Sequence, residues 1–315
     1  MFFLNEEEKE FIQKIFEAFD KKEALDSSFI GNGHTGSVWK ISDELCVKIG
    51  KEIRHTEIPD SFKKCENLGV PLKTFVSQSG TYIGVVQRFL NLPSIQYLIK
   101  NGIKLTEKQS AKILFDILKG LKVIHENGYV HRDFYPGNIM LTKKEKNIMA
   151  VIIDFDEMRP IAPETKACFQ YNGYQAPEIV FNNDVYDEKS EMFAFGITFW
   201  ELVVGKCPFG GYDFFGKVIE NSWDNYMQNP ELYNNRVKSA LNNLPNCLEK
   251  VEGVSTECTN LLRLLLDFNK DNRITAKEAL EHLFFRRMME NEYQNIKEND
   301  ANNKNVLGML DMERD

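Results

Sequence analysis

The segment that most constrains this chain is His131-Arg132-Asp133-Phe134-Tyr135-Pro136-Gly137-Asn138, continued by Ile139-Met140-Leu141. Shortly after it comes Val151-Ile152-Ile153-Asp154-Phe155-Asp156. The second apolar run reads as a buried strand that delivers a carboxylate at its end. Carboxylate and amide oxygens are what a hard dication binds. Asp133, Asn138 and Asp154 are therefore useful only in a fold that brings a loop and a strand end to one place.

A second constellation lies upstream, Gly31-Asn32-Gly33-His34-Thr35-Gly36-Ser37-Val38. In a dinucleotide-binding unit a helix follows such glycines. Here Val38-Trp39-Lys40-Ile41 reads as a strand, which puts the glycines in a hairpin. Backbone N–H groups of a glycine hairpin can approach a phosphate without interference from Cβ. The bland alternative is an ordinary glycine-rich turn. Lys48 follows Leu45-Cys46-Val47 on the next strand, from which it can reach phosphate oxygens. Alone it would be a surface lysine. Together with Asp133, Asn138 and Asp154 it completes the residue types that phosphoryl transfer needs.

The rest of the chain frames these residues. Phe11, Ile12, Ile15, Phe16 and Phe19 mark an amphipathic helix over 6–25, packed on a neighbouring lobe. Short strands run through Ser37–Ile41, Leu45–Ile49 and Tyr82–Phe89. Between them a helix is expected over Pro59–Leu68, with Pro59 in its first turn and Gly69 at its end. Beyond Asn91 the pattern is helical. Thr106-Glu107-Lys108-Gln109 is a capping box, and Asn127-Gly128 stops that helix. Ser190–Gly205 is apolar all round and reads as a buried central helix. Thr259–Phe268 and Thr275–Leu283 are further helices, and the polar tail beyond Asn291 reads as mobile.

The glycine loop, the strand lysine, the His-Arg-Asp loop with Asn138 and the Asp154-Phe155 pair occur in the order that resembles the eukaryotic-type protein kinase family. Ala176-Pro177-Glu178, Glu191-Met192-Phe193-Ala194-Phe195-Gly196, Phe199-Trp200-Glu201-Leu202, Gly205, Pro208-Phe209 and Asn272-Arg273-Ile274-Thr275-Ala276 extend the resemblance over about residues 29–285. It implies an α+β, bilobal fold with a small β-rich N-lobe and a larger helical C-lobe. The division would be a helical extension (1–28), N-lobe (29–90), C-lobe (91–290) and tail (291–315). It implies ATP and Mg2+ as cofactors and a protein substrate phosphorylated on Ser or Thr rather than Tyr.

By matched position, Gly31, Gly33 and Gly36 would cover the phosphates and Lys48 would hold the α- and β-phosphates. Asp133 would orient the acceptor hydroxyl and take its proton. Asn138 and Asp154 would hold the metal. Ile30, Val38, Gln87 and Phe89 would complete the nucleotide pocket, with Gln87 at a gatekeeper-like position. Glu178 is expected to pair with Arg273. His125 and His131 read as scaffold residues rather than metal ligands. Arg132 would receive a phosphorylated loop, with Thr165 and Tyr171 the nearest hydroxyls, unless an acid such as Glu164 already satisfies it.

Four positions depart from the family pattern. Asp156 stands where a glycine is usual, which restricts that segment and adds a carboxylate near the metal. Tyr135 stands where Ser/Thr-specific members carry lysine. Glu191 replaces aspartate. The helical carboxylate facing Lys48 is Glu57, with Asp60 and Glu66 as alternatives. Tyr135-Pro136-Gly137 and Asp154-Phe155-Asp156 also resemble small-molecule kinases of the aminoglycoside or choline type. A non-catalytic scaffold is the third reading, against which Lys48, Asp133, Asn138 and Asp154 are all retained.

Composition trims the remaining classes. A net charge of −8 argues against general nucleic-acid or anionic-membrane binding. The six cysteines form no CxxC pair, as suits a reducing, cytoplasmic location. Met1-Phe2-Phe3-Leu4-Asn5-Glu6 lacks the basic-then-apolar pattern of a signal peptide. The most apolar stretch, Met192–Val204, is too short to span a bilayer and carries Glu201.

Overall fold

Short runs rich in β-branched and aromatic residues pair into one antiparallel sheet. The computed structural model describes residues 4–21, 28–32, 35–51, 58–145, 147–165, 174–205 and 230–287. Its strands β1 (Phe29–Asn32), β2 (Ser37–Lys40), β3 (Leu45–Gly50), β4 (Lys73–Val76) and β5 (Ile83–Arg88) lie in the order β1-β2-β3-β5-β4. The two-residue period of a strand sorts the side chains of β3. Leu45, Val47 and Ile49 join Trp39 and Val86 in one core. Cys46 and Lys48 take the other face, where Val38, Lys48 and Val85 form a row across three strands.

Helix α1 (Glu6–Lys21) covers the first face with Ile12, Ile15 and Phe16. The expected residues 22–25 of that helix lie outside the described residues. The Phe16 ring rests on β5 at Gly84, where a Cβ would come within 2.6 Å of Phe16 Cζ. β1 and β4 were not anticipated as strands by residue pattern.

The helix expected over Pro59–Leu68 is a single turn, α2 (Asp60–Lys63), with Pro59 as the residue before it. The chain leaves the helix because its backbone is claimed elsewhere. Ile152 N–H donates to Asn67 O at 2.9 Å, and Gly69 N–H donates to Ile152 O at 2.8 Å. Phe62, Leu68 and Val70 are buried in the large core.

That core is built on α3 (Ile95–Lys100), α4 (Glu107–Glu126), α5 (Pro177–Asn182), α6 (Glu188–Val204), α7 (Pro230–Glu249), α8 (Thr256–Leu265) and α9 (Ala276–Leu280). α4 begins with the expected capping box, Thr106 with Gln109, and a second box, Thr275 with Glu278, opens α9. Residues 190–202 of α6 are all buried, and Gly205 ends the helix at φ +73°. α8 starts three residues earlier than expected because Ser255 caps it; Ser255 Oγ accepts from Cys258 N–H at 3.1 Å. Small ribbons complete the unit: β6 (Tyr129–Val130) with β9 (Arg159–Pro160), and β7 (Ile139–Lys144) with β8 (Asn147–Ile152). The architecture is the α+β bilobal one. No helix among the described residues is long and apolar enough to cross a membrane. The tail beyond Asn291 lies outside the described residues.

Candidate active site

The loop between β6 and β7 carries Asp133 and Asn138, and its shape is imposed by a buried acid. Glu191, on α6 and fully buried, accepts from the N–H groups of His131 (2.8 Å) and Arg132 (2.9 Å) through Oε1. Its Oε2 lies 2.9 Å from His125 Nε2. Arg132 sits at φ +66°, a left-handed conformation that costs a side-chain-bearing residue roughly 1–3 kcal/mol. The two charge-assisted bonds to Glu191 hold it there. Glutamate thus does the capping that the family pattern gives to aspartate.

His131 ties this loop to the end of β8. Its Nε2 lies 2.9 Å from Ile153 O, and its Nδ1 accepts from Asp133 N–H at 3.3 Å. These partners assign the proton to Nε2. Ile153 N–H donates to Asn138 O at 2.9 Å. Asn138 Nδ2 donates to Asp133 Oδ2 at 2.7 Å and to Asp133 O at 2.8 Å. Asp154 follows at φ +64°, the second left-handed residue of the site. Phe155 is buried against the His131 ring (5.2 Å) and Phe62 (6.5 Å).

Lys48 reaches across from the sheet to this strand end. Its Nζ is 3.0 Å from both carboxylate oxygens of Asp154 and 3.0 Å from Asp156 Oδ2. Burial opposes the Lys48 charge, but Asp154 and Asp156 outweigh it and lift its pKa above the usual lysine value. Asp156 is pushed up by burial and by the Asp154 charge, with Lys48 and Thr35 pulling back only in part. Two carboxylates around one ammonium lift the lysine, while burial and the neighbouring carboxylate charge lift Asp156.

The donor set fits a magnesium ion. Asp154 offers carboxylate oxygens, and the Lys48 ammonium already stands against them as a cation. Asn138 spends its amide N–H groups on Asp133, which leaves Oδ1 as the available oxygen. Among the described residues no group of three or more His, Cys, Asp or Glu forms a closed metal cage. Few protein ligands is the usual arrangement for Mg2+, which shares its shell with phosphates and water.

The remaining expected residues scatter. Val38 shares the Lys48 row, and Gln87 pairs with Cys46 on the same face. Gly31 has open space around it, whereas a Cβ on Gly36 would meet Ile49 O at 2.6 Å. Ile30 is exposed at the sheet edge. Phe89 N–H donates to Glu44 O at 2.7 Å, and the Lys40 ammonium sits 5.0 Å from its ring. It lines a groove with Leu45, Leu72 and Met149 that includes none of Lys48, Asp133, Asn138 and Asp154. Gly33, Glu57 and Tyr171 lie outside the described residues. Asp60 pairs with Lys63 and Glu66 with Lys144, both exposed.

On the acceptor side, the Tyr135 ring folds over Gly137, where a Cβ would lie 2.4 Å from Tyr135 Cε2. Burial first, and then the Asp133 and Asp154 charges, raise the Tyr135 pKa, so the phenol stays protonated. Arg132 Nη1 is 3.9 Å from Glu157 Oε2 and donates to Glu157 O at 3.4 Å. The acid near Arg132 is Glu157 rather than Glu164. Thr165 is buried, donating to Pro160 O at 2.8 Å and accepting from Ala162 N–H at 3.1 Å. Its hydroxyl is engaged, so it is not presented for modification. Glu178 and Arg273 form the expected buried pair, with contacts of 2.8 and 2.9 Å. Sequence reasoning passed over Thr35, whose hydroxyl donates to Asp156 Oδ2 at 2.9 Å. Its place between the glycines was the available signal.

The family model described as protein kinase domain matches residues 26–285. Mitogen-activated protein kinase 13 of Bos taurus is 29% identical over 210 residues, covering 62% of this chain and 56% of that protein. Serine/threonine-protein kinase ATG1a of Arabidopsis thaliana is 30% identical over 192 residues, covering 60% of this chain and 28% of that protein. Mitogen-activated protein kinase p38b of Drosophila melanogaster is 28% identical over 190 residues, covering 57% and 51%. The chain thus spans about half or less of the length of these curated relatives.

Proposed function

This chain belongs to the protein kinase family, and from that premise we propose that it transfers the γ-phosphoryl group of ATP to Ser or Thr hydroxyls of protein substrates. The carrying observation is the convergence of Lys48 and Asp154 at 3.0 Å beside the Asp133–Asn138 loop, tied through Ile153. Lys48 holds the α- and β-phosphates, and the glycine hairpin covers them. Asp133 orients the acceptor hydroxyl and takes its proton. Asn138 and Asp154 hold Mg2+, which when bound neutralises charge on the transferring phosphoryl group. Ser/Thr preference is supported by the Arabidopsis relative, a serine/threonine-protein kinase by name.

Protein rather than small-molecule acceptors are favoured by the back half. Ala176-Pro177-Glu178 is held by its buried link to Arg273, and Tyr174, two residues before it, packs 6.3 Å from the Tyr135 ring. We place the protein in the cytoplasm, because Cys46, Cys65 and Cys258 are thiols, as a reducing compartment would keep them.

The test is phosphate transfer from labelled ATP to a generic protein acceptor, followed by phosphoamino-acid identification. Phosphoserine or phosphothreonine is expected with Mg2+. Asp133→Asn should lower transfer by about 10²–10⁴-fold, the usual worth of a proton acceptor. Asp154→Ala should remove metal-dependent transfer while the protein stays folded by circular dichroism. Transfer only to small amines or alcohols would install the small-molecule reading; nucleotide binding without any transfer would install the scaffold.

A further inference from the structure

We propose that Asp156 is a positioning residue for this transfer: it joins Lys48 and Thr35 of the glycine hairpin in one hydrogen-bonded unit and serves as the counter-charge of Lys48. The proposal rests on the kinase reading. The Lys48 ammonium has three N–H bonds, and three carboxylate oxygens lie at 3.0 Å, two from Asp154 and one from Asp156. Asp154 is the residue assigned to the metal, so Asp156 is the carboxylate that stays with Lys48 once Asp154 is engaged. Among the described alternatives, Asp60 and Glu66 are committed to Lys63 and Lys144 at the surface.

The same Oδ2 of Asp156 accepts from Thr35 Oγ1 at 2.9 Å. Thr35 lies where the hairpin is pressed onto β3. A Cβ on Gly50 would fall 2.0 Å from Thr35 O, and one on Gly36 would fall 2.6 Å from Ile49 O. Backbone contact fixes the hairpin base to β3, and Asp156 fixes its hydroxyl to the opposite lobe. A glycine at 156 could make neither bond. The residue that would give the Asp154-Phe155 segment freedom is exchanged for one that anchors it, consistent with Phe155 being buried against His131 and Phe62.

The test uses the wild-type chain, Thr35→Val, Asp156→Ala and the double variant, with Thr35→Ser as the conservative control. The first readout is amide hydrogen exchange of residues 29–40 without nucleotide. Each single variant should speed that exchange about tenfold, the low end for a bond to a charged group. The double variant should be no faster than the faster single, because both lose the same bond. The second readout is ATP kinetics. Thr35→Val should raise KM for ATP more than it lowers kcat, and Thr35→Ser should behave as wild type. Asp156→Ala should lower kcat/KM by about a further tenfold through the lost Lys48 counter-charge. Exchange unchanged in Asp156→Ala, or single effects that add in the double variant, would overturn the proposal. A wild-type chain that transfers no phosphate would sink the kinase reading and leave the exchange result interpretable.

Discussion

Glu201 shows at a single residue how burial can outweigh a hydrogen bond. It lies on α6 with Tyr174 Oη donating to its Oε2 at 2.7 Å. Burial raises its pKa from 4.5 to about 7 despite that bond. Below the unfolded value both states hold the proton, and Glu201 contributes no pH dependence. Between the two values only the folded state holds it, so stability falls as pH rises through that window and stays lower above it. The total is on the order of 3 kcal/mol. Glu201→Gln keeps an acceptor for Tyr174 and removes the titration. Its melting temperature relative to wild type should therefore climb between about pH 4.5 and pH 7. A gap that stays constant across that range would remove the assignment. Glu201 stood out in the sequence as a charge in an apolar helix and as part of Phe199-Trp200-Glu201-Leu202, but its raised pKa was not readable there, because a pattern reports composition and not the Tyr174 hydroxyl facing it. Lys48, Asp133, Asn138 and Asp154 were legible because their spacing along the chain carries the signal. Thr35 was not, since its partner Asp156 is remote in sequence.

The elements divide the same way. α4 was readable to within a residue because a capping box is local, made from side chains three apart, whereas α9 ends at Leu280, three residues before the expected Leu283. The helix expected over Pro59–Leu68 failed because Ile152, remote in sequence, takes the backbone of Asn67 and Gly69. No window of local residues contains that competition. α1 was readable as an amphipathic helix, but its seat on the sheet was not. That seat is the Phe16 ring on Gly84, and it makes a prediction about the pair. Phe16→Ala should cost about 3–5 kcal/mol as a buried aromatic truncation. Gly84→Ala should destabilise the wild-type chain, because its methyl meets the Phe16 ring. In the Phe16→Ala background the same methyl enters vacated space and should be neutral or stabilising. Urea denaturation of the four proteins measures the coupling. Independent, additive effects would show that α1 does not dock on β5 through these two residues.

For the whole molecule the question is whether the two lobes unfold as one body. They meet at the site through Lys48, but a second junction lies behind it. Residues 67–69 travel with the large lobe: Asn67 O and Gly69 N–H pair with Ile152, and Asn67 Nδ2 donates to Ala150 O at 2.9 Å. Asn67 is buried, so this bond is shielded from water. The chain then runs directly into β4, so the sheet is moored to the β7–β8 ribbon by a few residues. Asn67→Ala leaves Ala150 O without this donor, at a cost of about 1–3 kcal/mol. The loss falls on the mooring and not on either core, so it should lower the coupling more than the stability of the large lobe. Trp39 is buried in the small core and Trp200 in the large one, which gives each lobe its own fluorophore. Single-tryptophan proteins, with the other two tryptophans changed to Phe, should unfold at coincident urea midpoints when Asn67 is present. With Asn67→Ala the Trp39 midpoint should move to lower urea than the Trp200 midpoint. Midpoints that remain coincident in the variant would mean that the lobes are coupled chiefly across the Lys48–Asp154–Asp156 cluster. In that case Asp156→Asn, and not Asn67→Ala, should separate them.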